Sequence, residues 1–282
     1  MGSLRKFYKL SGTGFSFGNY YESVNWALKR ANNQFTMLHY PFYVNDSDTF
    51  IQAQQNLTDY CISLLNPLAN KSILEIGCGN GIQCLYISSR CRPLSVTGID
   101  LNSANIEIAN REKERLNMRD LKFFVGDAQN LFQIPSDSVD VGFNIESALH
   151  YPYKSAFLRE VNRVLRPGGQ FLIADILTIR MKGKGLIKLL DKRMIHHYWD
   201  RITYEKEFLN SRLVVTYSED ITRRVIKGYS IYRNWLPEMK TRSFLPDIAF
   251  RIFYLIHIRL NVYSLKYKQK YYIFVGSKPE MD

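Results

Sequence analysis

Apolar and polar positions alternate along the middle of this chain in short runs of four to seven residues, and longer stretches with helical spacing separate them. Ile73–Ile76, Ser95–Asp100, Leu121–Val125, Ser138–Asn144 and Gln170–Asp175 are rich in β-branched and aromatic residues and bounded by glycine, asparagine or acid, which predicts five strands. Helical patterns resume at Ile82–Ser89 and near Ser103, where Asn102 or Ser103 can cap the helix, and another ends at Pro167-Gly168-Gly169. Strands alternating with helices over roughly 100 residues predict βαβ units and a doubly wound parallel sheet. Leu213–Tyr217 and Tyr271–Gly276 extend the strand set, leaving residues 177–210 and 222–266 as mostly helical insertions. Before the first strand, one helix is expected over Ser23–Asn33 and another from a Ser47 or Asp48 cap to about Leu65, while Pro41 keeps Met37–Tyr43 out of helix. The expected organisation is an arm or lid over 1–47, a ligand-binding core over 48–178, and remaining strands with a helical substrate cap over 179–282, all in one structural domain.

The strand ends carry the chemistry. Glu75-Ile76-Gly77-Cys78-Gly79-Asn80-Gly81 runs from a strand into a helix start, and its glycines let a ligand lie against bare backbone beside free helix N–H groups. The spacing departs from the dinucleotide fingerprint G-x-G-x-x-G, whose third glycine falls three residues after the second. Asp100 falls about 20 residues past the last glycine, where an acid at the end of the second strand takes ribose hydroxyls. Asp127, in Gly126-Asp127-Ala128, directly follows the third strand. Gly77, Asp100, Asp127, Asn144 and Asp175 all fall at the carboxyl ends of strands, where such sheets bind ligands.

The glycine loop resembles motif I of the class I S-adenosylmethionine (SAM) dependent methyltransferases, and Gly126-Asp127-Ala128 is similar to that family's adenine-binding turn. The resemblance covers roughly residues 40–178 and the final strand. It implies a seven-stranded, Rossmann-like methyltransferase sheet with its last strand antiparallel, SAM as cofactor, and cofactor contacts from Glu75, Gly77, Gly79, Gly81, Asp100, Leu101, Asp127, Ala128 and Asn144. Asn144–Pro152 together with Arg163–Asp175 also looks like the phthiotriol methyltransferases. Glu146-x-x-x-His150 resembles a loop of macrolide and indolocarbazole sugar O-methyltransferases, with Leu149 in place of the first of their two histidines. Methyl transfer is an in-line displacement that needs positioning and dryness and no metal, but a hydroxyl acceptor must also lose a proton. His150 is the expected general base and Asp175 its orienting carboxylate. Met37–Tyr43, with His39 among its aromatic rings, could close over a ligand or simply dock the arm.

Composition narrows the setting. The chain has 282 residues and a formal net charge of +12. Residues 1–175 are nearly neutral, with 17 Lys and Arg against 16 Asp and Glu, whereas residues 176–282 hold 21 against 10. That asymmetry fits peripheral contact with an anionic membrane through the basic, aromatic C-terminal part, a nucleic acid, an acidic substrate, or solubility alone. Ile248–Ile256 is apolar but too short to span a bilayer; it reads first as a lid helix packed on the core and, with Lys266, Lys268 and Lys270 beside it, second as an interfacial helix. No base-flipping tetrad follows the fourth strand, which argues against nucleic acid as substrate. Four cysteines without zinc or disulfide spacing and no basic-then-apolar leader favour a reduced, cytoplasmic setting, and the Asn-x-Ser/Thr matches at Asn45, Asn56 and Asn70 are read as chance. The expectation is a methyltransferase acting on a hydroxyl of an apolar small molecule (a lipid, polyketide or glycosylated natural product), with homodimerisation left open. C- or N-methylation, a nucleic-acid methyltransferase and a silent SAM-binding protein remain as alternatives.

Overall fold

The computed structural model describes residues 17–179, 196–235 and 244–280, with the backbone alone for 17–19, 232–235, 244–254 and 257. Strands β1 (Ser72–Ile76), β2 (Ser95–Asp100), β3 (Leu121–Val125), β4 (Val139–Ile145), β5 (Leu165–Thr178), β6 (Val214–Asp220) and β7 (Gln269–Ser277) form one sheet in the order β3-β2-β1-β4-β5-β7-β6. β1 to β5 run parallel, with Ile73 opposite Val96 on one side and Val141 on the other. β7 is antiparallel to both β5 and β6. This is the α/β sheet expected from the sequence, including its reversed last strand.

Helices α1 (Phe17–Asn32), α2 (Phe50–Ser63), α3 (Ile82–Cys91), α4 (Ser103–Arg115), α5 (Lys154–Val164), α6 (Arg201–Asn210), α7 (Thr222–Trp235) and α8 (Phe244–Tyr267) cover the sheet. The period-two alternation of strand side chains divides the core between its faces. Ile73, Phe143, Leu172, Ala174 and Ile273 pack with residues of α1 to α4, α7 and α8, while Leu74, Ile76, Ile173, Leu177 and Phe274 pack with residues of α5 and α6. Strands buried on both faces read as near-continuous apolar runs, as parallel strands should.

The boundaries differ from expectation where side chains decide them. The cap of α2 is Thr49, in a capping box with Gln52: Thr49 Oγ1 accepts the Gln52 N–H at 3.2 Å and the Gln52 side chain accepts the Thr49 N–H at 2.8 Å. Asp48 instead accepts the N–H groups of Val44 and Asn45, fixing the loop before the helix. α1 begins at Phe17, six residues before Ser23. β5 starts at Leu165, because Gly168 and Gly169 exchange backbone hydrogen bonds with Lys278 at 2.9 Å after the helix has ended at Val164. Residues 1–16 of the expected arm, and 180–195 and 236–243 of the expected insertions, lie outside the described residues, as do the side chains of Ile248–Tyr254 in the apolar stretch.

Candidate functional site

A cavity of about 330 Å³ opens at the carboxyl ends of β1, β2 and β4, and the glycine loop forms its floor. The Gly77 and Cys78 N–H groups donate to the Ile99 carbonyl at 2.7 and 2.9 Å, which bends the chain sharply off β1. Gly77 has φ +74°, and a Cβ there would lie 1.9 Å from Ser147 Oγ and 2.7 Å from the Tyr151 hydroxyl oxygen. Only glycine lets the loop after β1 pass under the loop after β4. Gly81, by contrast, is the left-handed N-cap of α3 and faces Ala109 and Phe123, so its role is packing and it does not line the cavity.

Glu75, Gly77, Gly79, Asp100, Leu101, Asp127 and Ala128 all line this cavity. Asp100 Oδ2 accepts the Gly79 N–H at 2.9 Å and Oδ1 accepts the Asn102 N–H at 2.9 Å, so one carboxylate ties the glycine loop to the start of α4. Burial raises its pKa from the ordinary value. Glu75 is almost wholly buried, accepts the Cys84 thiol at 2.8 Å, and is pushed up to about 8 by burial. Cys78 also lines the cavity, with its thiol pushed up to about 11 by burial. Asp127 is held in a turn by accepting the Gln129 N–H at 2.9 Å.

The opposite wall comes from the loop after β4. His150 ends a single 3₁₀ turn, Ala148–His150, and its Nε2 lies 3.0 Å from the Tyr21 hydroxyl of α1. Its ring is also 5.2 Å from that of His196. A second histidine, from the segment before α6, thus lies beside His150. Glu146 sits at φ +52°, where its backbone N–H donates to the Ala174 carbonyl at 2.8 Å. Its Oε1 accepts the Tyr40 N–H at 2.7 Å and the Tyr271 hydroxyl at 2.8 Å, and burial pushes its pKa up to about 8.

Besides Gly81, two expected site residues stand elsewhere. Asp175 does not pair with His150. Strand alternation turns it to the face of Ile173 and Leu177, where it is fully buried and accepts from the Tyr204 hydroxyl and from Lys154 Nζ at 3.4 Å. Asn144 is fully buried outside the cavity: its Nδ2 donates to the Ile76 carbonyl at 2.8 Å and to the Tyr151 hydroxyl at 3.0 Å, and its Oδ1 accepts the Ala148 N–H at 3.2 Å. It braces the loops after β1 and β4 together.

Sequence reasoning missed the buried amides that seat the arm. Asn80 Nδ2 donates to Asn25 Oδ1 at 2.7 Å and to the Thr36 carbonyl at 2.8 Å, and Asn25 Nδ2 donates to Asn105 Oδ1 at 2.9 Å. These bonds fasten α1 and the segment after it to the glycine loop and to α4. Met37, Leu38 and His39 then line one side of the cavity. Burial lowers His39 to about 4, which keeps its ring neutral among Met37, Thr58 and Gln54.

The residues present fit SAM: a backbone cradle that a side chain would fill, buried acids along it, and a polar turn at its far rim. Residues 74–173 match the family model described as a methyltransferase domain, and SAM is the cofactor of that domain. The chain is 32% identical over 205 residues to a phthiotriol/phenolphthiotriol dimycocerosates methyltransferase of Mycobacterium leprae (strain TN), covering 73% of this chain and 65% of that protein. It is 40% identical over 131 residues to a fatty-acid O-methyltransferase of Mycolicibacterium smegmatis (strain ATCC 700084 / mc(2)155), covering 44% and 46%. The matches thus span less than two thirds of either relative. Among solved structures, the geranyl diphosphate C-methyltransferase of Streptomyces coelicolor A3(2) shares the fold at a TM-score of 0.73 and 14% identity, over 93% of this chain and 96% of that one.

Proposed function

We propose that the protein transfers a methyl group from SAM to a hydroxyl of an apolar small molecule, with a lipid favoured over a polyketide or a glycosylated natural product. The observation that carries this reading is the division of one cavity into two walls: glycine backbone with Glu75, Asp100 and Asp127 on one, His150 with Tyr21 and Glu146 on the other. SAM supplies an electrophilic methyl carbon on a cationic sulfur. Asp100 would take the ribose hydroxyls, Asp127 with the Ala128 N–H the adenine edge, and Glu75 would face the sulfonium. His150 would accept the acceptor's proton, held by Tyr21 at 3.0 Å and with His196 against its ring. Met37, Leu38 and Tyr151 keep the space dry, which strengthens these interactions. Asn144, Gly81 and Asp175 support the frame and touch neither substrate.

The names of the two relatives, one a dimycocerosates and the other a fatty-acid methyltransferase, favour a lipid acceptor and an oxygen nucleophile. With such an acceptor goes peripheral contact with a membrane through the basic, aromatic C-terminal part. C-methylation is the second reading, favoured by the shared fold of a C-methyltransferase. The test is incubation of the purified protein with methyl-labelled SAM and long-chain hydroxylated lipids. Label extracted as a methyl ether supports the proposal, whereas label in a carbon-bound methyl, label in tRNA or DNA, or binding of SAM with no labelled product contradicts it.

A further inference from the structure

One face of α8 is built the wrong way round for a helix that meets only water. Ile258 and Leu265 pack into the core, yet Ile256, Leu260, Tyr263 and Tyr267 stand on the outer face with 52, 37, 48 and 60% of their surfaces exposed. Their spacing of four, three and four keeps them within one narrow stripe, about 16 Å long at 1.5 Å per residue. A stripe of that kind on a water-exposed helix marks a surface that meets something apolar.

The border of the stripe that faces α7 is cationic. Arg259 and Lys266 are exposed along it, one before and one after Tyr263 in the chain, and Lys268 Nζ lies 5.6 Å over the Tyr263 ring. These three make no ion pair among the described residues, whereas Lys270, Lys227 and Arg224 are held by Asp220, Asp46 and Glu219. Neither α7 nor residues 255–270 contain a single Asp or Glu. A groove of about 480 Å³ between α7 and α8 brings Arg259 and Lys266 together with Tyr229 and Tyr263.

We infer that this outer face of α8 is where the protein rests on an anionic lipid bilayer, the aliphatic and phenolic stripe sinking into the headgroup boundary and the cations meeting lipid phosphates. The inference deepens the membrane contact named under the proposed function and rests on it. Charge complementarity selects the occupant. Cations at the rim of an apolar strip suit an interfacial helix, whose apolar face enters the acyl boundary while Lys and Arg stay at headgroup level and tyrosines sit between. A nucleic acid would need cations in the middle of the face and would leave Ile256 and Leu260 uncovered. No helix among the described residues is long and apolar enough to cross a membrane, so this contact is with the surface.

The position suits the reaction. Gly228 of α7 lies against the Pro41 carbonyl, and the Tyr229 ring lies 4.8 Å from that of Tyr40, whose N–H donates to Glu146 at 2.7 Å. The helix beside α8 is therefore one residue, Tyr40, removed from the Glu146 wall of the cavity.

Co-sedimentation of the full chain with vesicles tests this, comparing phosphatidylcholine alone with phosphatidylcholine carrying about one third phosphatidylglycerol. The wild type is expected to bind the anionic vesicles. Leu260→Glu with Tyr263→Glu should weaken binding at least about tenfold, and each of Arg259→Ala, Lys266→Ala and Lys268→Ala by about fivefold. SAM affinity should stay unchanged in every variant, which shows that they fold and separates loss of docking from failure of the methyltransferase reading. In Tyr263→Trp the indole emission should shift to the blue on adding anionic vesicles. The inference is overturned by no sedimentation with anionic vesicles, by a stripe variant that sediments like wild type even if the cation variants do not, or by an indole that stays in water.

Discussion

Glu75 and Glu146 are carboxyls that burial holds at about 8, well above the ordinary 4.5. Between those two values each keeps a proton in the folded protein that the unfolded chain has released. Their contribution to stability therefore falls as pH rises through that window and levels off above about 8. A cation beside Glu75 reverses its preference and expels the proton. Affinity for SAM should accordingly rise with pH up to about 8, while affinity for S-adenosylhomocysteine, which has no charge on sulfur, should stay nearly level. Titration calorimetry in buffers of different ionisation enthalpy reads the released proton directly, and Glu75→Gln should abolish it; parallel curves for the two nucleosides would remove Glu75 from the sulfonium. His150→Ala should lower kcat by about 10²–10⁴-fold with SAM affinity held within twofold, measured by single-turnover transfer at saturating SAM. An unchanged rate would take the base assignment away. Asp100 and Asp127 could be read from the sequence because a strand end and a glycine loop fix their place locally. Glu146 could not be read as a buried acid, because its partners Tyr40 and Tyr271 lie 106 and 125 residues away in the chain.

Among the elements, the two loops that form the cavity are one unit. Gly77 passes beneath Ser147 and Tyr151, and Asn144 braces Ile76, Tyr151 and Ala148 at once. Gly77→Ala puts a methyl into space that backbone-anchored groups occupy and strains a left-handed φ, so it should weaken SAM binding about tenfold or more, seen as a rightward shift of the binding isotherm. Wild-type affinity in that variant would mean the loops move apart freely. On the other face, Lys154 and Asp175 form an ion pair with 1% and 0% of their side chains exposed, beside the Tyr204 ring. Lys154→Met leaves a carboxylate buried without its cation and should cost about 3–5 kcal/mol in urea unfolding, most of which Lys154→Met with Asp175→Leu should restore. If the double variant is no more stable than the single one, the pair is not what makes Asp175 tolerable there. The sequence made Asp175 the last residue of its strand, whereas β5 runs on to Thr178, and it said nothing of which face Asp175 takes. That depends on where α5 and α6 supply a cation and a hydroxyl.

At the scale of the molecule, the parallel sheet follows from the alternation of strands and helices, whereas the reversed β7 was implied by the resemblance to the methyltransferase family and not by local pattern. Seating of the arm did not follow, because Asn25, Asn80 and Asn105 are ordinary polar residues until folding buries all three together. The second histidine was hidden for the same reason: His196 meets His150 only through the path of the chain after β5. The basic C-terminal part was visible as a charge count, whereas the apolar stripe that directs it emerges only when Ile258 and Leu265 are seen to face inward. One cavity then gathers the residues proposed to bind the nucleoside, from β1, β2 and β3, and those proposed to face the acceptor, from β4 and the arm. The account depends on that cavity holding SAM through Asp100. Equilibrium titration of the purified protein with SAM, wild type against Asp100→Lys, tests it most directly. Micromolar binding by the wild type and a loss of at least about 100-fold in the variant is the predicted result; no binding at millimolar SAM, or equal affinity in the two proteins, would contradict it.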